Sequence, residues 1–292
     1  MTKLSRRAFL SAIALTSGYA TWALHSSPVQ ASQVTLLPAN PQLGDTISVL
    51  IVSDSTAGDD APVVSVGSTQ YPSFRLSGNR FRAFIPTSPL EASGTRTIQV
   101  TQAGVTQSRS VTIRDRSFRT QYITLPPSSS DLGTDHEFDR VAEFKRLVTP
   151  ERHWQGPLLR PSSGYVSTEF GVQRYYNGVY ADDYYHRGVD YAAATGSPIV
   201  APAAGYIRLV GRVRDGFEIH GNTVGIDHGQ GVLSIMIHMN RIDVQEGEFV
   251  AAGQTVGGVG STGASTGPHL HWGLYVNGIA VDPVPWRFDG VE

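Results

Sequence analysis

A chain of 292 residues with 40% hydrophobic content is long enough for one large domain or two smaller ones, each with a real core. Its formal net charge of -2 gives no electrostatic reason to propose nucleic acid or an anionic membrane surface as a partner. Cysteine is absent, which excludes disulfides, a thiol nucleophile and any Cys-ligated zinc, so a metal must be held by His and carboxylates.

The first residues read as an export signal, residues 1–31. Ser5-Arg6-Arg7-Ala8-Phe9-Leu10 opens a basic start, an apolar stretch runs from about Ala8 to Leu24, and Val29-Gln30-Ala31 offers a cleavage site with small residues. The paired arginines resemble a twin-arginine signal, which implies export of a folded protein to the periplasm or cell envelope. Uncleaved, the same segment is a membrane tether. A lipoprotein anchor is excluded, because no Cys follows the signal.

From Val34 to Arg114, short strands alternate with turn residues. The candidates are Thr46–Val52, Val63–Val66, Tyr71–Leu76, Arg80–Ile85, Thr95–Gln102 and Ser110–Arg114. This density predicts an immunoglobulin-like β-sandwich over 32–118. The region has no His and no convergent acids, which suits a docking or positioning module. Residues 119–157 read as a linker, marked by Pro126-Pro127-Ser128-Ser129-Ser130, that carries one helix. Thr134 and Glu137 have capping-box spacing, and Phe138, Val141, Ala142, Phe144, Leu147 and Val148 follow at helical intervals up to Pro150. The helix is expected over 135–149, with His136 and His153 at the surface.

Beyond Leu158 the chain is rich in Gly and β-branched residues, as in an antiparallel β domain. Strands are expected at Ile199–Ala201, Gly205–Val210, Thr223–Asp227, Val232–His238, Phe249–Ala251, Thr255–Val259 and His269–Val276, the last followed by an Asn277-Gly278 hairpin turn. In a strand, His269 and His271 project to one face. A second constellation, His186-Arg187-Gly188-Val189-Asp190, reads as a loop entering a strand. His186, Asp190 and one histidine of the later pair make three N and O ligands and leave a fourth position for water, the pattern of a catalytic zinc site. In Val232–His238, the terminal His238 ends an apolar strand where it can face such a water. His228 is read as a turn cap and His220 as a residue of a Gly-flanked loop. Tyr175, Tyr176, Tyr180, Tyr184 and Tyr185 are candidates for the wall of a peptide groove, and Arg174 or Arg187 for a contact with a substrate carboxylate.

Together these pieces resemble the lysostaphin-like zinc metallopeptidases, a family of bacterial cell-wall endopeptidases. The resemblance covers 158–288 and extends to Ser167-Thr168-Glu169-Phe170-Gly171, Gly196-Ser197-Pro198, Gly221-Asn222-Thr223-Val224, Asp227-His228-Gly229, Gly260-Ser261-Thr262-Gly263 and Asp282-Pro283. It implies that His186, Asp190 and His271 bind zinc and that His238 and His269 act beside it as catalytic residues. The family usually carries Tyr two residues before the equivalent of His238 and Leu after it; here these are Met236 and Met239. The expectation is a mainly β protein, with an immunoglobulin-like N-terminal sandwich, a linker helix and a C-terminal antiparallel β metallopeptidase domain. It is expected to be an exported zinc endopeptidase that cuts peptidoglycan peptides, leaning toward D-Ala to diamino-acid cross-links. The alternatives are a non-catalytic regulator or activator of another wall hydrolase, and a wall-binding protein whose sandwich does the work.

Overall fold

The computed structural model describes residues 32–53, 60–124 and 133–288. The expected signal and the Pro126–Ser130 stretch lie outside them. The protein is mainly β. Among the described residues there is one α-helix, and no helix is long and apolar enough to cross a membrane.

The N-terminal part contains β1 (Gln33–Leu37), β2 (Thr46–Val52), β3 (Val63–Val66), β4 (Thr69–Tyr71), β5 (Ser73–Ser77), β6 (Arg80–Pro86), β7 (Gly94–Gln102) and β8 (Val105–Ile113). They form two antiparallel sheets, ordered β1-β2-β6-β5 and β4-β3-β7-β8. Alternating apolar residues from both sheets, among them Ile47, Val49, Phe81, Ile85, Ile98, Val100 and Val111, make one core. The strand β8 begins earlier than expected. Ala103 and Gly104, both at positive φ, close a two-residue hairpin in which Gln102 faces Val105.

The sheet containing β2 and β6 is buried on both faces. Thr46, Ser48, Arg82 and Phe84, which point away from the sandwich core, are themselves buried. Phe84 packs on Trp154 and Trp286, Trp286 Nε1 donates to Thr46 Oγ1 at 3.3 Å, and Arg82 donates to Gln230 Oε1 at 3.0 Å. The sandwich therefore docks through a buried sheet face of mixed polarity, not through its termini alone.

Next come β9 (Thr120–Ile123) and the helix α1 (Asp135–Lys145). The Thr134 hydroxyl accepts the Glu137 N–H, as the capping signal predicts. The helix stops four residues short of the expected 149. Its last turn tightens as Arg146 N–H donates to Glu143 O and Leu147 N–H to Phe144 O, and Thr149 O is taken by the Gln230 N–H. Thr149 also precedes a proline, which disfavours helical backbone. Val141 and Phe144 of α1 enter the C-terminal core together with Trp154.

The remaining strands are β10 (Tyr165–Thr168), β11 (Gln173–Tyr176), β12 (Val179–Tyr180), β13 (Val189–Ala192), β14 (Pro198–Val200), β15 (Gly205–Gly211), β16 (Asn222–Gly229), β17 (Val232–Met239), β18 (Arg241–Ile242), β19 (Phe249–Val250), β20 (Thr255–Gly258), β21 (His269–Val276) and β22 (Ile279–Val281). The main sheet runs β10-β13-β21-β17-β16-β15-β19, with β22 joined to β21 through the expected Asn277-Gly278 turn. A small sheet, β12-β11-β9, pairs the segment leaving the sandwich in parallel with residues 173–176.

Candidate metal centre

Inside the main sheet, β21 is flanked by β13 and β17. Its register sets Asp190 directly opposite His271 and Ala192 opposite His269. Facing residues of an antiparallel pair share a face, as do residues two apart, so Asp190, His269 and His271 project together. The intervening Leu270 and Trp272 are fully buried on the other face.

His186 reaches this face from the loop before β13, as the sequence predicts. Its backbone is held by His186 N–H to Val172 O at 2.8 Å and Gly171 N–H to His186 O at 2.9 Å. Gly188 lets the loop close onto β21, because a Cβ there would lie 2.3 Å from Trp272 O and 2.8 Å from His271 Nε2. The His186 ring donates from Nδ1 to Glu169 O at 2.7 Å, which leaves the Nε2 lone pair facing the site.

Three donor atoms then converge. His186 Nε2 lies 3.0 Å from Asp190 Oδ1 and 3.0 Å from His271 Nδ1, and His271 Nδ1 lies 2.8 Å from Asp190 Oδ1. Tetrahedral zinc with bonds of about 2.0–2.1 Å spaces its ligands by about 3.3 Å. A triangle slightly smaller than this opens to that size with small side-chain rotations, and two imidazoles with one carboxylate are a donor set suited to zinc. Burial pushes the Asp190 carboxyl up, but bonds to His186 and His271 outweigh it and hold it well below the usual carboxylate range. His271 is pushed down to about 4, chiefly by burial, and so presents a neutral lone pair.

His269 and His238 stand beside the triangle, their ring centroids 4.8 Å apart, with His238 6.5 Å from His271. Strand alternation alone would turn His238 away. Ile237 faces His271 across the β17–β21 pair, so the next residue should point to the opposite side. Instead His238 has φ +65°, and the β16–β17 register slips between Val224↔Met236 and Asn222↔Met239. This bulge re-aims the side chain toward the ligand face. Both rings are tied by Nδ1, which donates to Thr262 O at 2.9 Å in His238 and to Gly267 O at 2.8 Å in His269. These bonds select the tautomer whose Nε2 is the free acceptor.

Two other histidines, His228 and His153, differ from their sequence reading. His228 does not cap a turn; Asp227 does, accepting the Gly229 N–H at 2.8 Å. His228 is fully buried between Ala204 O and Ser234 Oγ, and burial lowers it to about 4. His153 is half-buried against Tyr206 and Phe249, whereas His136 is at the surface as expected. His220 does lie in a Gly-flanked loop, but its Nδ1 is 2.6 Å from Glu137 Oε1.

Glu137 was not singled out for this position. Only half of its capping box forms, because its carboxylate turns away from Thr134. Fully buried, it accepts the N–H groups of Glu218, Ile219 and His220. Burial raises its pKa, but bonds from the His220 side chain and backbone and from Ile219 prevail and bring it to about 2. The loop it braces accepts the His238 N–H at His220 O, at 2.9 Å. Its sequence signal was ambiguous, since Thr-x-x-Glu describes a helix start equally well.

Of the tyrosines, Tyr185 is buried and donates to Ala280 O at 3.0 Å, while Tyr175 stacks on Tyr122 of β9 with centroids 4.8 Å apart. Tyr176 and Tyr184 line Arg174.

Comparison with known proteins identifies relatives of the C-terminal part. The model of Peptidase family M23 matches residues 184–283. The DD-carboxypeptidase/endopeptidase Mpg of Neisseria meningitidis is 46% identical over 99 residues, covering 34% of this chain and 22% of that protein. The peptidoglycan DD-endopeptidase ShyC of Vibrio cholerae is 41% identical over 98 residues, again 34% of this chain and 22% of that protein. The chain thus spans about a fifth of the length of these curated relatives. A Pseudomonas aeruginosa crystal structure described as peptidase M23 superposes with a TM-score of 0.64 at 27% identity, over 85% of this chain and 94% of that one. Residues 184–283 therefore form a Peptidase family M23 domain, of the lysostaphin-like kind, at the C-terminal end of this chain.

Proposed function

We propose that the protein is an exported zinc metalloendopeptidase that hydrolyses peptide bonds in peptidoglycan stems or cross-links. The observation that carries this reading is the convergence of His186, Asp190 and His271 within 3.0 Å of one another, with two further imidazoles on the same face. The activities named for the relatives, a DD-carboxypeptidase/endopeptidase and a peptidoglycan DD-endopeptidase, favour a D,D bond in the peptide as the target.

In this mechanism His186 Nε2, His271 Nδ1 and Asp190 Oδ1 would hold zinc, which would supply Lewis-acid polarisation of the scissile carbonyl and a more acidic water. His238 and His269 flank the reacting atoms with Nε2 free, because each Nδ1–H is committed to a backbone carbonyl. One of the two takes the proton of the attacking water and delivers it to the leaving amine. The other, once its Nε2 has taken up a proton, donates to the carbonyl oxygen as negative charge builds there. Residues 158–288 are the catalytic unit, 119–157 a connector whose helix braces the His220 loop, and 32–118 a docked immunoglobulin-like module. Residues 1–31 direct the chain to the envelope.

The test is hydrolysis of defined cross-linked muropeptides by purified protein, with zinc content measured in parallel. Stoichiometric zinc and cleavage abolished by a chelator are expected. A zinc-loaded protein that leaves every muropeptide uncut would instead favour a regulator of another hydrolase.

A further inference from the structure

Near the metal centre sit two arginines that form no ion pair among the described residues. Arg174 on β11 donates from Nε to Gln121 Oε1 at 3.2 Å and from one terminal nitrogen to Tyr184 Oη at 2.8 Å and Tyr176 Oη at 3.3 Å. Its guanidinium carbon lies 5.2 Å from the Tyr184 ring centroid, and that of Arg187 lies 5.5 Å from the same ring. Among the described residues neither arginine forms an ion pair, although Asp182 and Asp183 are close in the chain. The acid whose field reaches Arg174 is Asp190, which already belongs to the ligand triangle.

This is an unusual way to hold a half-buried arginine. Removing a guanidinium from water is costly unless charge and hydrogen bonds replace it. Here neutral oxygens fix its orientation and leave its charge and its second terminal nitrogen for something else. A divalent metal held by a single carboxylate would add further positive charge nearby. The planar fork of Arg matches a carboxylate, and it is already oriented by three oxygen partners. One of those partners, Gln121, comes from β9, so the segment leaving the sandwich helps to build the subsite.

We infer that Arg174, set by Tyr176, Tyr184 and Gln121, is a subsite for a free carboxylate of an acidic peptide substrate, with Arg187 adding charge from the other side of Tyr184. The inference rests on the peptidase reading and sharpens it: the preferred substrate carries a carboxylate close to the scissile bond, and neutral glycine bridges are poor substrates. A D-alanyl–diaminopimelyl cross-link has such a group on the carbon bearing the acylated amine.

The test uses full-length zinc-loaded protein and two synthetic D-alanyl–diaminopimelyl cross-linked peptides, alike except that this carboxylate is free in one and a carboxamide in the other. Binding is measured by calorimetry and turnover by mass spectrometry. Wild type is expected to bind the acid at least about tenfold more tightly than the amide and to show the same preference in kcat/KM. In Arg174→Gln the preference disappears through a higher KM for the acid, with the amide unaffected; Arg174→Lys recovers part of it. Equal binding of acid and amide by wild type overturns the inference, as does an Arg174→Gln variant that weakens both peptides alike. Selective binding of the acid without turnover supports the subsite and refutes the peptidase reading instead.

Discussion

Replacing Glu137 by Gln tests the idea that a buried carboxylate holds the loop behind His238. In the folded chain its two oxygens accept N–H groups of Glu218 at 3.0 Å, Ile219 at 3.1 Å and His220 at 2.6 Å, together with His220 Nδ1 at 2.6 Å. Glutamine keeps one acceptor and turns an NH2 toward backbone donors, so at least one charge-assisted bond is lost and another is opposed. At about 1.5–3 kcal/mol each, the cost is about 3 kcal/mol. Linkage gives an independent figure of similar size. A carboxyl that titrates near 4.5 when unfolded and at about 2 when folded contributes about 3 kcal/mol at neutral pH. Because the folded value is depressed, this stability is complete above pH 4.5 and is lost as pH falls toward 2. Urea unfolding of wild type and Glu137→Gln at pH 7 and at pH 3.5 is the assay. The expected gap is about 3 kcal/mol at pH 7, narrowing by about 1.4 kcal/mol at pH 3.5. A gap below about 1 kcal/mol at pH 7, or one that is unchanged at pH 3.5, refutes the reasoning.

His271→Ala is expected to lose zinc, whereas His269→Ala keeps it and loses roughly 10²–10⁴ in kcat; equal zinc loss in the two, read by metal analysis, would reassign the ligands. His228 is neutral in the fold with a value of about 4, against 6.5 for the free side chain, so folding is opposed as pH falls from 6.5 to 4. The stability difference between wild type and His228→Asn should therefore shrink by about 3 kcal/mol from pH 7 to pH 4 in urea titrations. Arg82, 1% exposed, bonds Gln230 and lies over Phe84 and Trp154 at the sandwich interface. Arg82→Ala should cost about 3 kcal/mol and Arg82→Met much less, since the apolar stem then refills the space; a neutral alanine variant would mean that this contact does not hold the sandwich in place.

Much of the site was legible from residue order because its signals are local. The apolar run through His269–Val276 specifies a strand, period two puts His269 and His271 on one side, and Asn277-Gly278 closes the hairpin. The N-cap at Thr134 was legible for the same reason, since a hydroxyl and the N–H three residues on meet within a single turn. The interval His186-x-Gly-x-Asp190 and the absence of Cys narrowed the metal chemistry before any fold was known.

Only the tertiary structure could decide the rest, because sheet register, backbone handedness and burial depend on partners far away in the chain. Asp190 meets His271 through a pairing 81 residues long in sequence separation. His238 joins the ligand face through a left-handed backbone and a register slip that strand alternation argues against. Glu137 changes from a helix cap into a buried anion because the loop at 218–220 folds over it. The sheet holding β2 and β6 is apolar on one face for its own sandwich and buried on the other by Trp154 and Trp286, a contact that no local pattern encodes. Hydrophobic period and turn chemistry are written in neighbouring residues, whereas the assembly of five side chains around one point depends on which distant strands pair, and in which register.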